Sequence, residues 1–144
     1  MKKMKVIMLK RLLIILCSFI LISACNLDTV VKDSVEFSGE GKYWRAKYIY
    51  DEKMYRDKKV NWIEMQYKDT HGSNSNLNLN DIDIQLKSRD GVIKGNLGKM
   101  HVQVIGNVIK FLVGTVNTTT YKEDRFELRV KFLDKEDVVK LRVT

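Results

Sequence analysis

Phe126-Glu127-Leu128-Arg129-Val130-Lys131-Phe132 is the stretch on which the fold class turns. Apolar and charged residues exchange at every step, the period of a strand with one face in a core and one in water. Asp134 to Asp137 reads as a loop, and Val139, Leu141 and Val143 then resume the alternation. Two such runs joined by a short polar segment predict a closing hairpin.

The same period extends outward. Trp44, Ala46, Tyr48 and Tyr50 alternate with Tyr43, Arg45, Lys47 and Ile49. Within Lys58 to Lys68, Ile63, Met65 and Tyr67 share one side, and Ile82, Ile84 and Leu86 stand opposite Asp83 and Gln85. Met100, Val102 and Val104 alternate with His101 and Gln103, and Gly106-Asn107 separates them from Val108 to Val113 as a two-residue hairpin turn. Asp90-Gly91 is a further turn dipeptide. No helical period competes. Seven to nine short strands predict an all-β domain, an antiparallel β-sandwich of immunoglobulin-like form, with a small β-barrel as the alternative. Trp44 is the expected buried aromatic.

The chain has 144 residues, 44% of them hydrophobic and 31% charged, enough for one domain and too apolar for a disordered tail. It has no proline and two cysteines, which excludes proline-rich spacers and disulfide-dense scaffolds. No apolar run reaches the roughly 20 residues that cross a bilayer.

The N-terminus has three zones. Lys2, Lys3, Lys5, Lys10 and Arg11 form a basic head, Leu12 to Leu21 is mostly apolar, and Ile22-Ser23-Ala24-Cys25 follows. This is the layout of a secretory signal. Leu21-Ile22-Ser23-Ala24-Cys25 resembles the bacterial lipobox, and the resemblance implies cleavage between Ala24 and Cys25 with a diacylglycerol on the Cys25 thiol. The expected organisation is a signal peptide over 1–24, helical in its apolar stretch, a tether over 25–34 and a β-domain over 35–144. The location implied is the outer face of the cell membrane, held by lipid. Five of the 26 Lys and Arg and none of the 18 Asp and Glu precede Cys25, so the net charge of +8 falls to +3 after cleavage. That removes the main support for a nucleic-acid partner.

Phe37-Ser38-Gly39-Glu40-Gly41-Lys42-Tyr43-Trp44, with Tyr48 beyond it, resembles small surface lipoproteins of Bacillus-like Gram-positive bacteria. Their mature domain opens on a Phe-x-Gly-Glu-Ser-x-x-Trp pattern and closes on a hairpin with an acidic turn, which Phe132 to Leu141 resembles. Gly41 stands here for the serine, and Phe132 where tryptophan is common. The resemblance implies a surface lipoprotein and no particular ligand.

Few residues point to chemistry. Asp69, His71 and Ser73 bring an acid, an imidazole and a hydroxyl close in sequence, but adjacent loop residues rarely align as a triad, and no Gly-x-Ser-x-Gly elbow is present. Asp81 and Asp83, with Asn78 or Asn80, lack the tight glycine turn of a calcium loop. His71 and His101 are the only histidines. No catalytic role, cofactor or metal is therefore expected. Asn74, Asn76, Asn78 and Asn80 read as a solvated loop, and Asn117-Thr118-Thr119 matches a glycosylation acceptor pattern within a loop. Tyr43, Arg45 and Lys47 on one strand, followed by Arg56, Lys58 and Lys59 in a loop, form a basic and aromatic patch. The expected function is a membrane-anchored module that binds a protein partner. The alternative is a binder of an envelope polyanion or glycan through that patch.

Overall fold

The computed structural model describes residues 29–68 and 77–144. The expected signal segment, Ala24, Cys25 and the first part of the expected tether lie outside the described residues, as do Asp69, His71, Ser73, Asn74 and Asn76.

The domain is all-β. Its strands are β1 (Ser34–Glu40), β2 (Trp44–Asp51), β3 (Val60–Tyr67), β4 (Ile82–Lys87), β5 (Val92–Asn96), β6 (Val102–Ile105), β7 (Val108–Gly114), β8 (Phe126–Phe132) and β9 (Lys135–Val143). The alternation read from the sequence is the burial pattern. Trp44, Ala46, Tyr48 and Tyr50 are buried, as are Ile63 and Met65, Ile82, Ile84 and Leu86, and Phe126, Leu128 and Val130. The closing hairpin forms as expected, with Phe126 opposite Leu141 and Phe132 opposite Lys135. Gly106 turns β6 into β7 at φ 62°, where a left-handed backbone suits glycine.

All nine strands join in one antiparallel sheet, in the order β5-β4-β8-β9-β1-β2-β3-β7-β6. This differs from two separately bonded sheets, and β9 is the reason. Its first part pairs with β8, while Val143 and Arg142 at its far end pair with Phe37 and Ser38 of β1. The sheet thereby curls into a half-barrel. Gly39 makes the close passage possible, since a Cβ there would stand 2.1 Å from the Lys140 carbonyl oxygen.

Aromatic rings fill the hollow. Phe126 of β8 lies 4.9 Å from Phe37 of β1 and 4.4 Å from Tyr48 of β2, between ring centroids. Trp44 stacks edge-on against Tyr67 at 5.0 Å and faces Phe132 at 6.4 Å. Strand β8 thus meets β1 and β2, which are not its bonded neighbours, across the core, where such ring contacts add to area burial.

Three readings are corrected. The segment after β2, taken as a loop, is the helix α1 (Glu52–Lys58), whose N-terminus is capped by the Asp51 side chain accepting from the Met54 N–H. Its seven residues bury no side chain, so it leaves no hydrophobic period to detect. Asp134 to Asp137 is not one loop. The turn is Leu133-Asp134, with Leu133 at φ 52°, and Asp137 is a buried strand residue. Val104, expected on an apolar side, is 57% exposed because β6 is the last strand of the sheet. Residues 29–33 are also docked. Val30 bridges Tyr121, the Val31 N–H donates to the Thr120 carbonyl, and the Val31 side chain is buried.

Candidate functional site

The expected basic patch divides between two places. Arg45 and Lys47 project from the outer face of β2, where they border a shallow trough of about 360 Å³ with Ser38 and Gln66. Each faces a carboxylate: Arg45 lies 3.3 Å from Glu40, and Lys47 lies 2.8 Å from Glu36. The bond to Glu36 raises the Lys47 pKa. Hydrogen bonding from Lys68, with help from Arg45, lowers that of Glu40. Exposed pairs of this kind add little to stability, but they cancel the field that a polyanion would meet. Tyr43 precedes β2 and is half-buried, with the Lys42 and Lys135 ammonium groups 4.9 and 5.2 Å from its ring centre. Arg56 and Lys58 lie on α1 at the end of the sheet, and Lys59 caps it with its ammonium 4.3 Å from the Tyr55 ring centre. Arg56 pairs with Glu52 at 3.6 Å.

A heavily bonded carboxylate is one the sequence did not single out. The Asp137 carboxylate is 6% exposed. Its Oδ2 accepts from the Tyr43 N–H at 2.7 Å and the Trp44 N–H at 2.9 Å, and its Oδ1 accepts from Lys42 and Val138 at 2.9 Å each. Burial opposes its ionisation, but the four backbone donors outweigh burial and hold its pKa below the ordinary value. This clasp fastens the β1–β2 turn to β9. It also explains Gly41, where a Cβ would stand 2.5 Å from both carboxylate oxygens.

A second buried carboxylate, Asp124, accepts from the Arg89 guanidinium at 3.0 Å, the Asn117 amide at 3.0 Å and the Tyr121 N–H at 2.8 Å. Asn117 also bonds Ser88, and it is 3% exposed. The acceptor-like tripeptide therefore has its asparagine inside the fold. Asn78 caps the short turn Leu79–Asp81 that contains Asn80: it accepts from the Asn80 N–H and donates to Asp81. Asp83 accepts from the Asn96 amide. His101 is exposed just before β6. Among the described residues, no group of three His, Cys, Asp or Glu side chains is placed to hold a metal ion.

One surface stands apart from these self-satisfied clusters. Strand β6 pairs only with β7, so one row of its backbone groups faces outward. Its sequence, Val102-Gln103-Val104-Ile105, contains no charge. Val104 and Ile105 are 57% and 66% exposed and point to opposite faces. Natural edge strands are commonly guarded by lysine or a bulge. The opposite edge, β5, does carry Lys94. The sequence signal for β6 was present in its lack of charge, but its place at the edge was not.

Compared with known proteins, the chain matches no protein family, no characterised protein and no solved structure.

Proposed function

We propose that this chain is a lipid-anchored extracytoplasmic module that binds a protein partner and carries out no chemistry of its own. The anchor is Cys25, freed by cleavage after Ala24. The contact is the outward edge of β6, and the observation carrying it is an uncharged edge strand with Val104 and Ile105 exposed. An extended partner segment adds a strand there, drawing affinity from backbone hydrogen bonds and specificity from the side chains it meets. The immunoglobulin-like description belongs to the same proposal. It treats β5-β4-β8 as one layer and β1-β2-β3-β7-β6 as the other, supported by the ring contacts of Phe126 with Phe37 and Tyr48.

Crosslinking the intact protein in its native membrane tests this reading. One stoichiometric partner is expected, lost in Val104→Lys/Ile105→Lys while the variant stays folded by circular dichroism. Undiminished capture by that variant refutes the edge as the contact. Cys25→Ala is expected to accumulate as an unlipidated precursor, and normal acylation of that variant refutes the anchor.

A further inference from the structure

We propose that the cleft over the ends of β4, β8 and β9 binds the phosphodiester headgroups of anionic lipids in the membrane that carries the anchor, and so sets the domain's orientation on it. The inference rests on the lipid-anchor reading of Cys25.

The cleft is shallow, about 460 Å³, and five cations and three carboxylates line it. Each of the three carboxylates already has partners. Glu123 accepts from the Thr29 N–H at 2.8 Å, Asp124 holds Arg89, Asn117 and the Tyr121 N–H, and Glu127 pairs with Arg129 at 3.4 Å. Arg89 is held by Asp124, but the other four cations are not engaged in the same way. Lys87 and Lys140 flank Glu127 in the cross-strand row, and Arg125 and Arg142 stand just beyond the Phe126–Leu141 pair. All four are exposed, and none forms an ion pair among the described residues. Glu127 offsets Lys87 and Lys140 only in part, since one carboxylate stands opposite two ammonium groups. A bound anion balances the remaining positive charge, and four exposed donors around an open hollow suit a phosphodiester.

Chain geometry supplies the ligand's source. Thr29 is tied through its N–H to Glu123, which lines this cleft, and through its carbonyl to the Lys122 N–H. Cys25 is four residues before it, so the acylated sulfur lies within about 14 Å of chain from Thr29. Basic residues held that near an anionic surface fall within its field, which decays over a Debye length of roughly 8–10 Å. Lys47 and Arg45, by contrast, are matched to Glu36 and Glu40.

The test is lysine footprinting of the full-length protein, purified from its membrane and reconstituted in vesicles of phosphatidylcholine alone or with phosphatidylglycerol. Intact mass of the same sample reads acylation at Cys25. Phosphatidylglycerol is expected to slow labelling of Lys87 and Lys140 by at least about threefold, reversibly with salt, and to leave Lys47 unchanged. Arg125→Gln/Arg142→Gln is expected to abolish the protection while melting no lower than the wild type. Equal labelling in both vesicles overturns the proposal, as does protection that survives the double variant. Protection by soluble glycerol-phosphate oligomers but not by vesicles overturns the lipid as ligand. If Cys25 carries no acyl chain, the anchored orientation fails, and soluble dihexanoyl phosphatidylglycerol then tests the cleft alone: protection keeps the headgroup site, and its absence refutes that too.

Discussion

Replacing Asp137 by asparagine isolates the clasp that closes the half-barrel. The two carboxylate oxygens serve four backbone N–H groups, from Lys42, Tyr43, Trp44 and Val138, at 2.7–2.9 Å. Asparagine keeps one carbonyl oxygen, which still serves two of them. Its amide NH₂ then confronts the other two donors. A buried donor left without an acceptor costs about 1–3 kcal/mol, so two cost about 2–6 kcal/mol, centred near 4. For a domain of this size that corresponds to a fall in Tm of about 15 °C. Urea unfolding followed by tryptophan fluorescence is a suitable assay, because Trp44 itself is one of the donors. The acid limb adds a second reading. The folded pKa of Asp137 lies below the ordinary 3.8, so its contribution is fully present above the unfolded pKa and is lost as pH falls through the folded one. The gap between wild type and Asp137→Asn is therefore expected to be constant near neutrality and to narrow below about pH 4. A neutral-pH difference under about 1 kcal/mol, or a gap that persists in acid, would refute the clasp as the main fastening of this turn.

Two further substitutions probe the same core. Gly41→Ser adds a Cβ that would stand 2.5 Å from both Asp137 oxygens, which four hydrogen bonds prevent from yielding. A loss of about 1–3 kcal/mol in urea unfolding is expected, and an unchanged midpoint would count against the packing described. Tyr48→Phe removes the hydroxyl that accepts from the buried Asn61 amide at 3.0 Å, leaving that amide the Thr115 hydroxyl at 3.3 Å. The loss is expected to be about 1 kcal/mol, read from the calorimetric Tm, since one acceptor goes and one donor keeps a partner.

What was legible followed from local periodicity. Burial on one face of a strand imposes a period of two, so Ile82, Ile84 and Leu86 could be assigned to the core without knowing what covers them. The Gly106-Asn107 turn was equally local. Helix α1 escaped because seven exposed or half-buried residues carry no periodic signal. Its only local mark was Asp51 as a cap before Glu52, with Arg56 and Lys58 in the last turn. The patch of Tyr43, Arg45, Lys47, Arg56, Lys58 and Lys59 was legible as charge along the chain. Its neutralising partners Glu36 and Glu40 arrive from β1, so the pairing was not.

By itself, the sequence determined the all-β class, the faces of most strands and the closing hairpin, because each depends on residues within a few positions of one another. Tertiary structure alone decided the rest. Asp137 meets amides 93 to 95 positions away, β9 crosses to β1 and curls the sheet, and β6 falls at the edge with Val104 uncovered. Each depends on strand order, and strand order is set by which distant faces bury one another, a quantity that no local period contains.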